Sequence, residues 1–247
     1  MLSACLYAKL LSPLKKQENI LKTRLNSIKK RIVNAAISCS RDPADIRLVA
    51  VSKRIPEDKI REAIEAGADI LGENFIQEAR EKTNHLSSYN VSWHFIGHLQ
   101  SNKSKYAVRM FDFIHTVDSF KLALELNKRA EKINKIQNIL IQVNISGELS
   151  KSGVEPEKIM NLLKDISRLK NLSVKGLMTM PPYFSNPEKA RPFFASLRKL
   201  REAIKEEDIP GIFMEELSMG MTGDFEAAIE EGATLVRIGT AIFGKRV

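Results

Sequence analysis

The chain has 247 residues, of which 43% are hydrophobic and 28% are charged, and this balance excludes a largely disordered protein. Its formal net charge is +9, but the first 40 residues hold eight lysines and arginines against one glutamate, which leaves only +2 for the rest. The basic excess therefore belongs to an N-terminal segment, and it does not predict a nucleic-acid or membrane surface across the fold.

Cysteine content and hydropathy indicate an intracellular protein. Cys5 and Cys39 both precede the first predicted strand and lack the spacing of a metal site or a disulfide framework. No apolar run approaches the roughly 20 residues that span a bilayer. Residues 1–14 are mildly apolar, but Lys9 interrupts them and no clean cleavage site follows. We therefore predict a cytoplasmic protein with a ragged basic extension over residues 1–18 and a single domain over residues 19–247.

Hydrophobic periodicity predicts a regular alternation of helices and strands. In chain order, the predictions are a helix over 17–37, a strand over 46–53, a helix over 56–66, a strand over 69–74, a helix over 75–84, a strand over 92–97, a helix over 102–108, a strand over 113–117, a helix over 119–132, a strand over 138–145, a helix over 155–169, a strand over 174–180, a helix over 187–206, a strand over 216–219, a helix over 224–231 and a strand over 235–239. This α/β pattern is typical of a (β/α)8 TIM barrel, with the leading helix available to close the ring. The alternative is a doubly wound open sheet, but no Gly-x-Gly-x-x-Gly turn follows the first strand.

A lysine ends the first predicted strand. Residues 48–51 are continuously apolar, as in a strand buried on both faces, and Lys53 follows at the carboxyl end, where parallel barrels carry their chemistry. A lysine held among apolar neighbours can have its pKa lowered enough to attack a carbonyl. The alternative is a surface lysine that only ends the strand, and Lys53 by itself does not decide between the two.

Two segments near the C-terminus predict an anion-binding region. Ser218-Met219-Gly220-Met221-Thr222-Gly223 follows the seventh strand and leads into a helix, and Arg237-Ile238-Gly239-Thr240 lies on the eighth. Hydroxyls, backbone N–H groups and glycines suit a phosphate, and barrels frequently bind phosphate after these two strands. Glycine-rich turns are often only turns. These two segments, however, are predicted to lie opposite a strand-end lysine. The lysine suits an aldehyde and the segments suit a phosphate, and pyridoxal 5′-phosphate (PLP) carries both groups.

These motifs resemble the YggS/PROSC family of pyridoxal phosphate homeostasis proteins. The resemblance covers about residues 19–247 and rests on seven stretches: Val49-Ala50-Val51-Ser52-Lys53, Gly72-Glu73-Asn74, Trp93-His94-Phe95-Ile96-Gly97-His98-Leu99-Gln100, Lys151-Ser152-Gly153, Gly176-Leu177-Met178-Thr179-Met180, Leu217-Ser218-Met219-Gly220-Met221 and Arg237-Ile238-Gly239-Thr240. It implies the barrel of fold-type III PLP enzymes, similar to the N-terminal domain of alanine racemase, without a C-terminal β domain.

The resemblance also implies a cofactor site. The residues that it places around PLP are Lys53, Asn74, Met178, Ser218, Met219, Arg237, Gly239 and Thr240. Lys53 would hold PLP as a Schiff base, Asn74 and Met178 would line it, and Arg237 would face the pyridine nitrogen. Ser218, Gly239 and Thr240 would bind the phosphate beside Met219.

The chain departs from the family pattern at two positions. Arg54 stands where a small or hydroxylated residue is more usual, and Thr222 stands where serine is usual. Both keep the chemistry that the site needs. Residues 1–18 lie before the usual family start and inherit no role.

Arginine at position 237 has a chemical consequence. Arginine stays protonated in proteins, so it donates to the ring nitrogen and leaves that nitrogen unprotonated, which makes the ring a weak electron sink. Racemases of this fold type are understood to use a tyrosine base from a C-terminal β domain. The sequence ends at Val247 directly after the eighth strand, so we expect that domain to be absent. Of the four tyrosines, only Tyr183 follows a strand near the expected site, and its proline neighbours predict that it packs locally as a loop anchor.

The histidines carry no metal-site spacing. His94 lies among apolar residues of the third strand, where a buried structural residue is the usual outcome. The alternative is a hydrogen bond near Lys53, and we include His94 in the candidate cofactor site. His85 and His115 show no pattern that indicates a function, and the polar loop around His98 is interpreted as solvated surface.

The leading functional hypothesis is a PLP-binding protein of intracellular vitamin B6 homeostasis. It would buffer the cofactor or deliver it to PLP-dependent apo-enzymes, as a monomer without catalytic residues. The alternative is a PLP-dependent amino-acid racemase or lyase. A third hypothesis is an adaptor that binds nucleic acid or a membrane through its basic N-terminal helix; we expect neither partner.

Overall fold

Eight parallel strands form a closed barrel in the described part of the chain. The computed structural model describes the backbone of residues 3–148 and 151–244, and the side chains within these ranges from residue 20 onward. The strand order in the barrel follows the order in the chain, and the first strand pairs with the eighth. The predicted (β/α)8 barrel is confirmed, and its closure excludes the doubly wound open sheet.

The elements agree with the predicted alternation, with small shifts at their ends. The strands are β1 (Arg47–Val51), β2 (Ile70–Glu73), β3 (Ser92–Phe95), β4 (Phe113–Val117), β5 (Gln137–Gln142), β6 (Leu172–Met178), β7 (Ile212–Ser218) and β8 (Leu235–Ile238). The α-helices are α1 (Ser3–Ser38), α2 (Glu57–Glu65), α3 (Ile76–His85), α4 (Ser104–Met110), α5 (Phe120–Glu131), α6 (Ile159–Ile166), α7 (Arg191–Glu206), α8 (Phe225–Glu230) and α9 (Thr240–Phe243).

Two helices differ from the sequence prediction. Helix α1 begins at Ser3 and not at residue 17, and α9 follows β8, where we predicted no element. Four residues are too few to show hydrophobic periodicity, so the sequence carries no signal for α9. The boundary between an extension over residues 1–18 and a domain over residues 19–247 stays a prediction, since residues 1–2 and the side chains up to residue 19 lie outside the described residues.

Helix α1 closes the outer ring, as predicted. A stripe of its apolar residues is buried at three- and four-residue steps: Leu21, Leu25, Ile28, Ile32 and Ala36. This stripe belongs to the main hydrophobic core, and α1 contacts α2, α8 and α9. Within the described ranges, no helix is long and apolar enough to cross a membrane.

The interior of the barrel is filled by side chains in layers. Six buried apolar residues from different strands form one cluster: Val49, Ile70, Phe113, Leu140, Met178 and Leu235. Side chains alternate along a strand, so residues two positions further point into the same interior. His115 follows Phe113 in this way, and Arg237 follows Leu235. A polar layer therefore lies on the side of the cluster nearer the carboxyl ends of these strands.

Candidate functional site

The carboxyl ends of the eight strands surround one opening, which we call the mouth. Lys53 lies there, half-buried, in the turn after β1. Strand β1 pairs with β8, with Ala50 opposite Ile238. Gly239 packs against Val51, since a Cβ built on Gly239 would lie 3.4 Å from the Val51 Cβ. The turn that carries Lys53 and the segment after β8 are therefore neighbours at the mouth.

The two predicted phosphate-binding segments also contact each other. The Thr240 hydroxyl donates to the Thr222 hydroxyl oxygen at 3.3 Å, which joins the turn after β8 to the loop after β7. The Arg237 N–H donates to the Gly220 carbonyl at 3.0 Å. Gly220 has φ +88°, and a Cβ there would lie 2.6 Å from the Ala228 Cβ, so this turn requires glycine. The loop after β7 is thereby held against β8.

A row of buried polar side chains crosses the barrel interior below the mouth. Arg237 Nη1 donates to Ser218 Oγ at 2.6 Å, Ser218 Oγ lies 2.9 Å from His115 Nδ1, and His115 Nε2 lies 3.0 Å from His94 Nδ1. Arginine can only donate, so a consistent assignment has the Ser218 hydroxyl donating to His115 and His115 donating to His94. With this assignment, every hydrogen bond of the row has one donor and one acceptor while both imidazoles are neutral.

Burial keeps the two histidines uncharged. It lowers the pKa of His94 to about 3, with a smaller contribution from the positive charge of Arg47. The pKa of His115 lies well below its ordinary value, because the ring is buried and because His94 and Arg237 lie nearby. Burial also lowers the pKa of Arg237 to about 10, so its guanidinium stays protonated at neutral pH.

Acid should destabilise the barrel through this pair of histidines. Between the ordinary histidine pKa of 6.5 and the folded value of about 3 for His94, the unfolded chain binds a proton that the folded chain does not, so the free energy of unfolding falls as the pH falls. Each histidine contributes a slope of up to about 1.4 kcal/mol per pH unit. We expect the double variant His94→Gln/His115→Gln to show a shallower slope in urea unfolding between about pH 6.5 and 5. Equal slopes in the two proteins would contradict this origin of acid sensitivity.

The predicted site residues at the carboxyl ends of β6 and β7 are deeply buried. Met178 and Met219 are inaccessible to solvent, and so is the Ser218 hydroxyl, which is bonded to Arg237 and His115. Arg237 Nη2 also donates to the Thr179 carbonyl at 2.9 Å. The predicted roles of Ser218 at a phosphate and of Arg237 at a ring nitrogen stay predictions. The structure gives both side chains a fixed position inside the barrel.

Asn74 directly follows β2 and borders a cavity of about 170 Å³ at the mouth. Its Oδ1 atom is buried and has no hydrogen-bond partner among the described residues. The cavity is lined by Asn74, Ile96, Gly97, His98, Thr116, Gln142, Lys151, Ser152 and Met180. A buried acceptor without a partner is costly, and a ligand that donates to Oδ1 would remove that cost.

A larger cavity of about 520 Å³ lies on the outside of the barrel, between α3 and α4. Arg80, Tyr89, Trp93, Tyr106 and Arg109 are among its lining residues, and none of the predicted cofactor residues borders it. Within the described ranges, no group of three or more histidine, cysteine, aspartate or glutamate side chains has the arrangement of a metal site.

The sequence prediction missed His115 and a buried ion pair. His115 is inaccessible to solvent and connects Ser218 to His94, so it belongs to the interior row although its spacing gave no signal. Its alternation with Phe113 on β4 could have placed it in the barrel interior. Lys82 and Glu73 form an ion pair at 2.8 Å with both side chains almost inaccessible. Their separation of nine residues across a strand and a helix gives no local pattern.

The prediction that Tyr183 is packed locally is wrong. Its side chain is 87% exposed in the loop after β6. The proline pair before it restricts the backbone, but the ring itself lies in solvent. Tyr183 is therefore a solvated residue near the mouth.

Comparisons with known proteins agree with the fold and the motifs. Residues 33–247 match the family described as alanine racemase, N-terminal domain. The pyridoxal phosphate homeostasis protein of Aquifex aeolicus is 45% identical over 223 residues, which cover 90% of this chain and 97% of the relative. The structure of PipY from Synechococcus elongatus with PLP bound has a TM-score of 0.80 and 35% identity, over 91% of this chain and 100% of PipY.

More distant structures share the fold alone. Alanine racemase of Clostridium difficile has a TM-score of 0.71 at 14% identity, and the match covers 92% of this chain and 57% of the racemase. The nearer relatives share about 40% or more of their residues over almost their whole length and are named as homeostasis proteins. By its fold, its motifs and these relatives, the chain belongs to the family of pyridoxal phosphate homeostasis proteins, whose barrel is the N-terminal domain type of alanine racemase.

Proposed function

We propose that this chain binds PLP at the mouth of the barrel, holds it as a Schiff base on Lys53, and buffers it or delivers it to PLP-dependent apo-enzymes. The observation that carries the proposal is the contact between the segments concerned. Gly239 lies against Val51, close to the turn of Lys53, and Thr240 contacts Thr222 in the other predicted phosphate-binding segment. PipY, which is 35% identical, has PLP bound, and this supports the same ligand here.

The side chains around the mouth fit this cofactor. Asn74 Oδ1 is a buried acceptor without a partner in the described part of the chain, which suits a polar ligand that can donate to it. Arg237 uses two of its five N–H donors on Ser218 and Thr179, so the guanidinium keeps capacity to donate to a ring nitrogen. The bound cofactor would supply a reactive aldehyde and an electron-withdrawing ring.

The buried groups of this chain favour a carrier over a racemase. Proton transfer at neutral pH is most efficient when the base has a pKa near 7, and the pKa of His94 is about 3 while that of His115 is also well below its ordinary value. Arg237 stays protonated and keeps a ring nitrogen unprotonated, which weakens stabilisation of a carbanion. Tyr183, near the mouth, is 87% exposed and is not held toward the barrel interior by local packing.

Three further features belong to the proposal. The apo-enzymes that accept PLP are the protein partners, the chain acts in the cytoplasm, and it works as a monomer. The absence of a cysteine framework in the sequence supports the compartment. Analytical ultracentrifugation with and without PLP tests the oligomeric state.

One experiment tests the carrier against the racemase. PLP is added to cofactor-free protein, the visible absorbance of the bound cofactor is followed, and L-alanine is then added in excess. We expect the absorbance band to form, and we expect no D-alanine to accumulate beyond the level given by free PLP alone in chiral chromatography. Sustained formation of D-alanine would establish the racemase, and a protein that stays colourless would contradict PLP binding altogether.

A further inference from the structure

A buried lysine lies directly beneath the turn that carries Lys53. Lys82, on α3, is only 4% exposed. Its Nζ donates to the Ser52 carbonyl at 2.7 Å, to Glu73 Oε1 at 2.8 Å and to Glu78 Oε1 at 2.6 Å. A lysine ammonium has three donors, so these three acceptors use its full hydrogen-bonding capacity. Lys82 thus joins the end of β1, the end of β2 and helix α3 at one point.

The contacts of Lys82 hold the Lys53 turn on both sides. The Ser52 carbonyl, which Lys82 binds, belongs to the residue before Lys53. The backbone N–H of Arg54, the residue after Lys53, donates to Glu78 Oε1, and this is the same oxygen that pairs with Lys82. Arg54 has φ +58°, a left-handed conformation that a non-glycine residue adopts only where its surroundings fix it. The ammonium and Glu78 together supply such surroundings.

Glu73 connects the same network to the second predicted cofactor residue. Ser52 Oγ donates to Glu73 Oε1 at 2.7 Å, so the residue before Lys53 is bound to Glu73 as well as to Lys82. Asn74, which borders the mouth cavity, directly follows Glu73. One buried ion pair therefore fixes the backbone next to both Lys53 and Asn74.

Stability alone is a poor explanation for this ion pair. Glu73 is completely buried, and burial raises the pKa of its carboxyl group even though Lys82 and Ser52 act in the opposite direction. Its second oxygen has no hydrogen-bond partner in the described residues. The desolvation penalty of two buried charges is about as large as the free energy of their attraction. Replacing such a pair with apolar residues therefore often leaves the stability unchanged. The directional contacts to the Lys53 turn are what an apolar pair would lack.

We propose that Lys82 is a positioning residue for the proposed cofactor site: through Ser52, Glu73 and Glu78 it holds the Lys53 turn in the geometry that lets the Lys53 amine reach the aldehyde carbon of PLP. This inference rests on the proposed function. Lys82 itself does not contact the cofactor. Its contribution is to the covalent step and not to the recognition of the phosphate, which belongs to the loops after β7 and β8.

The test uses two variants and one matched control. Lys82→Met removes the ammonium and leaves Glu73 buried without its ion-pair partner, so it can fail to fold. Lys82→Met/Glu73→Gln removes both charges and avoids that problem. Lys135→Met is the control, because Lys135 is a half-buried lysine that also holds backbone carbonyls, those of Val108 and Phe111, but lies at the opposite end of the barrel before β5.

Two measurements separate positioning from general loss of structure. The first compares the rate at which the visible band of bound PLP forms with the affinity for pyridoxine 5′-phosphate, which has the ring and the phosphate but no aldehyde. The second follows amide hydrogen exchange of residues 53–55 in the cofactor-free protein. We expect both Lys82 variants to form the band about ten- to a hundredfold more slowly, with unchanged affinity for pyridoxine 5′-phosphate and faster exchange of these amides. We expect Lys135→Met to match the unaltered protein in the rate of band formation, in the affinity for pyridoxine 5′-phosphate and in the exchange of these amides.

The outcomes distinguish the two proposals. If the unaltered protein forms no band with PLP, the proposed function and the role of Lys82 both fall. If the unaltered protein forms the band and the double variant forms it at the same rate, only the role of Lys82 is overturned. Equal losses of the rate and of the affinity for pyridoxine 5′-phosphate would also overturn it, since they indicate a general disturbance of the mouth.

Discussion

Replacing Lys53 with alanine is expected to abolish the visible absorbance band that PLP gives with the unaltered protein. The amine of Lys53 is the group proposed to bond the aldehyde carbon, and alanine at this position has no nucleophile. The turn itself should persist, because Lys82 binds the Ser52 carbonyl and Glu78 accepts the Arg54 backbone N–H on either side of position 53. After borohydride reduction and proteolysis, mass spectrometry should find PLP on the Lys53 peptide of the unaltered protein and none on that of the variant.

A second lysine at the mouth provides the control for this experiment. Lys151 lines the same cavity as Asn74, so a ligand that enters this cavity can reach its amine as well. We expect Lys151→Ala to keep the absorbance band and the covalent adduct on Lys53. An adduct on Lys151 in the unaltered protein, or a full band in Lys53→Ala, would move the covalent site to another amine and would contradict the assignment.

The fold could be predicted because its signals are local and repeated. Each strand, such as the apolar run that ends at Lys53, is indicated by its composition, and each helix by its three- and four-residue steps. The alternation of eight such pairs then determines the barrel, and the barrel brings the segment after β8 to the turn after β1 although about 185 residues separate Gly239 from Lys53 in the chain. Topology, and not local pattern, creates this neighbourhood.

The contacts inside the site could not be predicted in the same way. The row from Arg237 through Ser218 and His115 to His94 joins four strands, and its members are related only by the stagger of the closed sheet. The bond from Lys82 to the Ser52 carbonyl spans 30 residues and ends on a backbone atom, which no residue type reveals. Side-chain identity thus predicts which groups are available, while the tertiary structure decides which of them meet.

Burial gives the site its electrostatic character. The neutral state of His94 and His115 and the permanent charge of Arg237 come from the same low-dielectric interior, because each pKa is lowered mainly by loss of solvent. The ordinary pKa of histidine lies near neutral pH, so burial lowers it below the physiological range. The ordinary pKa of arginine is so high that the side chain stays charged even after burial lowers it. The interior row therefore offers fixed hydrogen-bond donors and acceptors with no group that exchanges a proton readily at neutral pH.

The largest loss of stability is expected from alanine at Gly176, in the middle of β6. Gly176 has φ +156°, and a Cβ there would lie 1.9 Å from the Glu216 carbonyl oxygen on β7, which is far inside van der Waals contact. The pairing of β6 with β7 shifts register between Val174 and Gly176, so the backbone approaches its neighbour at a bulge that only glycine can occupy. The Cβ position is fixed by the Gly176 backbone and its partner is a backbone oxygen, so no side-chain rotation can relieve the clash. We expect Gly176→Ala to lower the free energy of unfolding by about 3 kcal/mol or more in urea denaturation.

Gly223→Ala is the matched control for this prediction. Gly223 lies in the loop after β7, has no positive φ, and a Cβ there would meet nothing within 4 Å. Alanine at such a position restricts the unfolded chain without straining the folded one, so its effect should be close to zero or slightly stabilising, at up to about 1 kcal/mol. Because β6 continues from Gly176 to Met178, partial displacement of the strand should also reduce PLP binding in Gly176→Ala. Equal unfolding free energies for the two variants would contradict the steric argument and the register shift on which it rests.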